Sequence, residues 1–419
     1  MPATSISALA LAARLRQESD EGLVALLRAR QIRDAGIRDY FDLAEKLLDP
    51  ALVHTALSRL PRPTLATIAA IAMRSPERPS AAQIAEALGT EPADVAAHLA
   101  TAQSEALVDV APIEGADDAY YLYDTALLAL AAWPAQGLPT LEELAEPAPT
   151  ALEPVSRTDA AVTDAAAADQ AFGTTTAIAE LLASVETEPA RELARGGIAL
   201  PDSRRLAEAA SVSLEDVPAL QSIAQRAGLI GLESGLWLPT VAAADWMLLP
   251  TPERWARLAG AWLEGLPSDI RGLLGGRAHA LWGEHFEDYI AWLYPAGGDW
   301  MRERVTILTT KATLLGIVAG QVPSTPGAAL LTGGQDAAAA AMTPLFPREV
   351  SQVYLQHDLS IVSPGPLEPR LDARLRTMAT VESRALATNY RVSPASLNRA
   401  LAAIVPHRQG ITEQGRGVP

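Results

Sequence analysis

The chain has 419 residues, of which 49% are hydrophobic, and a formal net charge of −17, which predicts a globular protein of about two to four domains. No stretch is apolar for long enough to cross a membrane, and no cationic region precedes the first short apolar run, so we expect a cytoplasmic protein with no membrane partner. The absence of cysteine excludes disulfides, thiolate metal sites and a cysteine nucleophile.

The charge is unevenly distributed along the chain. Residues 141–190 contain ten carboxylates against one base, Arg157, whereas residues 347–419 contain nine arginines against six carboxylates. Only the C-terminal part is therefore expected to attract a polyanion such as DNA.

The first 60 residues alternate short amphipathic runs with breakers, which predicts an N-terminal helical region over residues 1–60. In one run, Leu23, Leu26, Leu27 and Arg30 fall at i, i+3, i+4 and i+7. This spacing places three leucines on one face of a helix.

Residues 61–137 predict a winged-helix-like module, because helix, helix–turn–helix and β-hairpin follow one another in that order. Ser80 is a predicted N-cap, Gly89 ends a helix, and Pro92 stands in the first turn of the next. The aromatic segments "LVDVAPIE" and "DAYYLYDT" predict the strands of the wing.

A linker and a second module of the same kind are predicted next. Residues 138–176, rich in Pro, Ala, Thr and acid, predict a largely exposed acidic linker with an interrupted helix. Residues 177–244 predict a second winged-helix-like module, in which Asp202 or Ser203 opens a helix and Gly228 ends the following one before a hairpin.

Residues 245–345 predict a helical, Trp-rich region that contains part of a third such module. Trp282, Phe286, Tyr289 and Leu293 fall at i, i+4, i+7 and i+11. That spacing predicts one buried helix face and no chemistry.

No catalytic, cofactor or metal site is predicted, and we do not expect an enzyme. The glycines of "LTGGQDAAAA" are not followed by the Gly-Lys-Ser/Thr of a phosphate loop. His279 and His285 lie near carboxylates but lack the His-Glu-x-x-His spacing of a zinc site. No Gly-x-Ser-x-Gly elbow or glycine-rich dinucleotide turn occurs.

Residues 346–403 predict a small β-α-β-α domain. "VSQVYLQHDLSIVSPGPL" gives two strand segments, and "EPRLDARLRTMATVESRA" gives a helix with Leu371, Leu375 and Met378 inward. "TNYRVSPASLNRALA" then gives a strand and a helix that begins at Ser393 and Pro394. The predicted fold class is α+β, mostly α-helical, with tandem winged-helix-like modules before this domain.

The run "QHDLSIVSPGPL…YRVSPASLNRAL" behind such modules resembles the helicase-associated protein family of high-GC Gram-positive bacteria, the actinobacteria. In that family the C-terminal part is classed with the N-terminal domain of XPB-type DNA helicases. The resemblance implies a DNA-associated accessory protein that acts with a helicase or nuclease in DNA repair or processing and is not the motor itself. It also implies that the β-α-β unit at residues 350–402 contacts DNA.

Arginines are the expected DNA contacts, since phosphate binding depends on cationic side chains. The candidates are Arg370, Arg374, Arg376, Arg384, Arg391 and Arg399 in the C-terminal domain and Arg204 and Arg205 in the second module. On α-helix periodicity Arg370, Arg374 and Arg376 fall on the more exposed faces. The alternative is that these arginines lie on a solvent-exposed helix face and contact no DNA.

The predicted recognition helices suit DNA poorly. They carry Glu91, Asp94 and Glu105 in the first module, and Glu215 and Asp216 against Arg226 alone in the second. A DNA reader offers Arg, Lys, Asn or Gln at such positions. The alternative function is therefore a winged-helix scaffold for protein–protein interaction, or a transcription regulator, that does not itself bind DNA strongly.

The apolar period ends after Ala403, and residues 404–419 contain Pro406 and three glycines in the last ten residues. We expect a disordered tail of non-native origin, as from a shifted reading frame. The alternative is a flexible basic tail that uses His407, Arg408 and Arg416.

Overall fold

The computed structural model of the protein describes residues 3–32, 36–111, 118–150, 161–194, 196–282, 284–384, 388–398 and 400–401. The fold is α+β and mostly helical, as the sequence predicts. Contacts divide the chain into two compact units. The first comprises Met1–Pro154 and Trp282–Ile307, and the second comprises Val155–Leu281 and Leu308–Pro419.

The α-helices in chain order are α1 (Ala3–Leu15), α2 (Asp20–Ala29), α3 (Tyr40–Leu47), α4 (Pro50–Ser58), α5 (Arg62–Arg74), α6 (Ala81–Leu88), α7 (Pro92–Ser104), α8 (Asp124–Ala131), α9 (Ala161–Thr187), α10 (Leu200–Ala210), α11 (Val217–Arg226), α12 (Val241–Met247), α13 (Thr251–Glu264), α14 (Ser268–Gly276), α15 (Glu284–Leu293), α16 (Gly298–Leu314), α17 (Thr325–Met342) and α18 (Pro369–Met378). Residues 394–398 and 400–401 are also helical.

The strands are β1 (Val108–Ala111), β2 (Ala119–Leu122), β3 (Ala190–Arg191), β4 (Ile230–Glu233), β5 (Leu236–Pro239), β6 (Val318–Ala319), β7 (Val322–Pro323), β8 (Tyr354–Leu355), β9 (Ser360–Ser363), β10 (Thr380–Arg384) and β11 (Thr388–Arg391). They form two hairpins, β1-β2 and β6-β7, a sheet of order β3-β5-β4 and a sheet of order β10-β11-β9-β8. All these pairs are antiparallel.

The first unit begins with a helical core in which α1 packs against α3. Leu11, Leu26 and Leu47 are buried there, and Leu23 and Leu27 pack against them. The leucine spacing in the sequence therefore predicted the buried face of α2. The side chain of Ser19 caps α2, because its hydroxyl oxygen accepts a hydrogen bond from the backbone N–H of Gly22.

The element order predicted for residues 61–137 is observed as α5, α6, α7, β1 and β2. Ser80 forms a capping box with Gln83 at the start of α6. Gly89 ends that helix in the left-handed conformation, with φ of 64°, where a side chain would be strained. Pro92 opens α7.

A buried carboxylate ties the hairpin of this unit together. Asp109 accepts hydrogen bonds from the hydroxyls of Tyr123 at 2.6 Å and Tyr121 at 3.1 Å. Arg14 lies 3.8 Å from the same carboxylate. Burial raises the pKa of Tyr121 to about 12, with the charge of Asp109 adding to the effect. Burial and the Asp109 hydrogen bond also raise the pKa of Tyr123.

The tryptophans of residues 245–345 divide between the units. Trp282, Trp292 and Trp300 lie in the first unit, where Trp282 stacks on Phe286. Leu293 is also buried. The predicted apolar face around α15 is thus present, and it belongs to the first unit.

The second unit is organised by α9, which contacts α10, α11 and α13. The predicted linker over residues 138–176 is wrong for its second half, because α9 begins at Ala161 and Ala171 and Thr175 on it are buried. Residues 151–160 lie outside the described residues. The alanines, glycine and threonines of this segment are typical of a linker, but small side chains also allow helices to pack closely together. Gly316, with φ of 63°, packs against the Ala167 carbonyl of α9.

The C-terminal part of this unit is a four-stranded sheet with α18 packed on it. Its core contains Ile361, Leu367, Leu375 and Tyr390. The sequence predicted one helix through Ala385, but α18 ends at Met378 and Thr380–Arg384 forms β10. Ala379 is extended, which ends the helix, and pairing with β11 completes the strand. Met378, predicted to point inward, is exposed.

The predicted disordered tail at residues 404–419 lies outside the described residues. No helix among the residues that the structure describes is both long and apolar enough to cross a membrane.

Candidate nucleic-acid interface

Two of the predicted contacts, Arg370 and Arg374, form an exposed basic pair on α18. They stand at i and i+4, so their side chains leave the same face of the helix. Among the described residues, neither lies within ion-pair distance of a carboxylate. Both guanidinium groups are therefore available to phosphate.

Arg376, predicted on an exposed face, is instead bound within the protein. Its guanidinium donates to both oxygens of Glu180 on α9, at 2.6 and 3.1 Å, and to Asp372 at 2.8 Å. Asp372 also accepts from the hydroxyl of Tyr390 at 2.7 Å. We call these four residues the Arg376 network. The side chain of Arg376 is 21% exposed and that of Glu180 only 10%.

The network corrects the prediction for Arg376, because a guanidinium held by two carboxylates has few donors left for DNA. Burial opposes its charge, but the hydrogen bonds and charges of Glu180 and Asp372 outweigh burial. The pKa of Arg376 consequently lies above its ordinary value. The residue fastens α18 to α9 and so fixes the helix that presents Arg370 and Arg374.

The remaining C-terminal arginines differ in their availability. Arg391 is half-buried and forms ion pairs with Glu382 at 3.1 Å and Asp358 at 3.6 Å. Arg384 ends β10 opposite Thr388. Arg399 lies outside the described residues. The structure thus brings only Arg370 and Arg374 together as an exposed pair among the described candidates of this domain.

In the second module, Arg204 is exposed on α10 and Arg205 is not free. Arg205 donates to the hydroxyl of Ser184 at 2.7 Å and to the carbonyl of Glu188 at 2.9 Å. It also lies 3.6 Å from the carboxylate of Asp202. The sequence predicted two basic contacts here, and the structure leaves one exposed.

A cavity of about 500 Å³ lies beside the Arg376 network. Its charged lining includes Arg254, Arg348 and members of the network. Arg254 is buried and donates to the carbonyls of Leu249 at 2.8 Å and Met247 at 2.5 Å, and burial lowers its pKa. Only Arg348, which the sequence analysis did not select, is an exposed cation at this cavity with no carboxylate partner among the described residues.

The two helices that the sequence analysis predicted as recognition helices, α7 and α11, carry little positive charge. On α7 the exposed positions include Ala93, Asp94 and Thr101, and on α11 they include Gln225 and Arg226. Within the described part of the chain, no group of three or more His, Cys, Asp or Glu residues is arranged to hold a metal ion.

Residues 353–409 match the family model described as a helicase conserved C-terminal domain. The match begins at β8 and includes both exposed arginines of α18. No curated protein matches the chain significantly.

This segment is helicase-related. The expectation of a helicase-associated protein, which rested on the same stretch of sequence, is therefore supported by the match.

Proposed function

We propose that the protein is a non-catalytic, DNA-associated accessory protein that acts with a helicase in DNA repair or processing. The observation that carries this proposal is the helicase-related segment at residues 353–409, together with the exposed pair Arg370 and Arg374 within it. We also propose that the protein is related to XPB-type helicases and comes from a high-GC Gram-positive bacterium, as its sequence suggests.

The number of arginines in the basic pair limits its affinity for DNA. If the pair neutralises two phosphates, the logarithm of the binding constant for duplex DNA falls with the logarithm of the salt concentration with a slope of about −1.8. Such a contact positions a protein on DNA but binds weakly by itself. This favours a protein that reaches DNA together with a helicase over one that binds alone.

Binding to fluorescent duplex, forked and single-stranded DNA at low and moderate salt tests the proposal. The double variant Arg370→Glu/Arg374→Glu should bind at least roughly tenfold more weakly and show a shallower salt dependence. The control is Arg16→Glu/Arg28→Glu, which makes the same change of net charge at exposed positions of the first unit. Equal losses in both variants, or no loss in the first, would remove α18 from the interface.

Action with a helicase is tested separately. An XPB-type helicase from a high-GC Gram-positive bacterium should unwind forked DNA faster when the wild-type chain is added, and the Arg370→Glu/Arg374→Glu variant should stimulate less. Identical unwinding with and without the chain would contradict the accessory role.

A second candidate function is favoured by the surface of α7. If residues 61–137 form a winged-helix module, its recognition helix presents mainly neutral and acidic side chains, which suit a protein partner better than phosphate. This module would then dock a partner protein while α18 contacts DNA. Complex formation with the same helicase that persists in the Arg370→Glu/Arg374→Glu variant would support this division, and loss of the complex would contradict it.

A further inference from the structure

Three polar side chains that the sequence analysis did not connect come together in the second unit. Lys311 of α16 donates to the hydroxyl of Ser222 on α11, with 2.6 Å between Nζ and Oγ. Arg226 stands one turn further along α11. Lys311 and Ser222 are half-buried, and Arg226 is exposed. The group is therefore open to solvent on the side of Arg226.

The end of α13 brings further positive charge to the same place. The guanidinium of Arg226 lies against Gly265, where the side chain of any other residue would begin. Arg271 donates to the carbonyls of Glu264 and Leu266, on either side of that glycine. Two guanidinium groups thus flank the last turn of α13, and Lys311 lies near the first of them.

This cluster has no matching negative charge. Within the described residues, neither Arg226, Arg271 nor Lys311 lies within ion-pair distance of a carboxylate. The last turns of α11, α13 and α16 offer some compensation, because a helix C-terminus carries about half a negative charge. Burial, and after it the nearby charge of Arg226, lowers the pKa of Lys311.

We propose that Ser222, Arg226 and Lys311 form a binding site for the oxyanion of a phosphate group. Arg226 and Lys311 supply the charge. Because the lysine ammonium has only donors, the Ser222 oxygen accepts from it and the hydroxyl hydrogen remains free to donate to a phosphate oxygen. A phosphate bound between Arg226 and Lys311 would reduce their mutual repulsion and supply the missing negative charge.

The site lies on elements other than α18 and does not depend on the DNA contact proposed for Arg370 and Arg374. Its ligand is a phosphate monoester or diester. The source of that group is either free phosphate or the backbone of a nucleic acid, and the chemistry of the three side chains is the same for both.

Thermal unfolding of the full chain with increasing sodium phosphate, compared with sodium chloride at equal ionic strength, tests the site. Wild type should be stabilised specifically by phosphate, because a ligand that binds the folded state raises the unfolding midpoint. Lys311→Met and Arg226→Gln should each weaken phosphate binding roughly tenfold or more. Arg16→Gln, a change at an exposed arginine that belongs to neither proposed contact, should respond like wild type.

Two further outcomes keep the proposal independent of a folding defect. In chloride alone, Lys311→Met should unfold no earlier than wild type, because it removes a half-buried charge that faces another cation. If it does unfold earlier, the phosphate response of Arg226→Gln is used as the test, because that substitution changes an exposed side chain. Phosphate stabilisation that is absent in wild type, or unchanged in both variants, would overturn the proposal.

A short single-stranded oligonucleotide distinguishes the sources when it is added to the Arg370→Glu/Arg374→Glu variant. Competition with inorganic phosphate in this background would identify a nucleic-acid backbone as the ligand, and phosphate binding without competition would identify free phosphate. Either result supports the site. Loss of DNA binding with retained phosphate binding would separate this inference from the proposed function.

Discussion

Replacing Arg376 by alanine should destabilise the second unit far more than replacing its exposed neighbour Arg374. The change removes three charged hydrogen bonds, two to Glu180 and one to Asp372. It takes the bound guanidinium away from two carboxylates whose side chains are only 10% and 16% exposed. A buried charge that loses hydrogen-bond donors is costly because water cannot fully replace them.

The expected loss follows from these exposures. Removing one partner of a buried ion pair costs about 3–5 kcal/mol. We expect the lower end, about 3 kcal/mol, because Arg376 keeps 21% of its side chain exposed and water can enter beside it. Glu180→Gln leaves Arg376 paired with Asp372, so it should cost only about 1 kcal/mol. Arg374→Ala should stay within about 0.5 kcal/mol of wild type.

Urea and thermal unfolding of the full chain, followed by circular dichroism and by hydrogen exchange in α9 and α18, measure this order. For a unit of this size a loss of about 3 kcal/mol lowers Tm by about 6–12 °C. Hydrogen exchange is needed because two compact units can unfold separately. If Arg376→Ala and Arg374→Ala unfold at the same midpoint, the network does not hold α18 to α9 and the reasoning fails.

Four other outcomes are expected. Arg370→Glu/Arg374→Glu should keep the free energy of unfolding within about 0.5 kcal/mol of wild type, and a larger loss in urea unfolding would mean that these side chains have structural contacts. The purified chain should hydrolyse no ATP above a contaminant control, with or without DNA, because its sequence lacks the lysine and hydroxyl of a phosphate loop; DNA-stimulated turnover would contradict this. The pKa of Tyr121 is raised to about 12 and that of Tyr123 is also raised, so their contribution to folding is complete below pH 10 and declines above it, that of Tyr121 being lost as the pH rises through about 12; ultraviolet titration showing both phenols ionised near pH 10 in the folded chain would refute it. Arg30→Met should cost about 2 kcal/mol, because Arg30 is buried and donates to the carbonyls of Leu47 and Glu105; an unchanged urea midpoint would show that water replaces these bonds.

Much of the local structure could be predicted from short-range patterns. The capping box at Ser80, the left-handed Gly89 and the proline that opens α7 depend on residues within a few positions of one another. The same holds for the leucine spacing of α2. Such signals act through the backbone of a single turn, so they can be recognised without knowledge of the rest of the fold.

Other elements depended on contacts that no local pattern reveals. Residues 161–176 have the composition of a linker, yet in α9 their small side chains permit close packing against other helices. Thr380–Arg384 continues a helical pattern in the sequence, but it becomes a strand because β11 pairs with it. In both cases tertiary packing outweighed local preference.

The fold class, the order of elements in residues 61–137, the acidic segment at 141–190, the basic segment at 347–419 and the helicase-related segment could all be predicted from the amino-acid sequence. Which of the described arginines are exposed and which are bound within the protein could not. Arg376 and Glu180 are 196 residues apart in the chain, and Lys311 and Ser222 are 89 apart. Helical periodicity assigns a side chain to a face of its own helix, but whether that face meets solvent, a carboxylate or another cation depends on which distant segment packs against it.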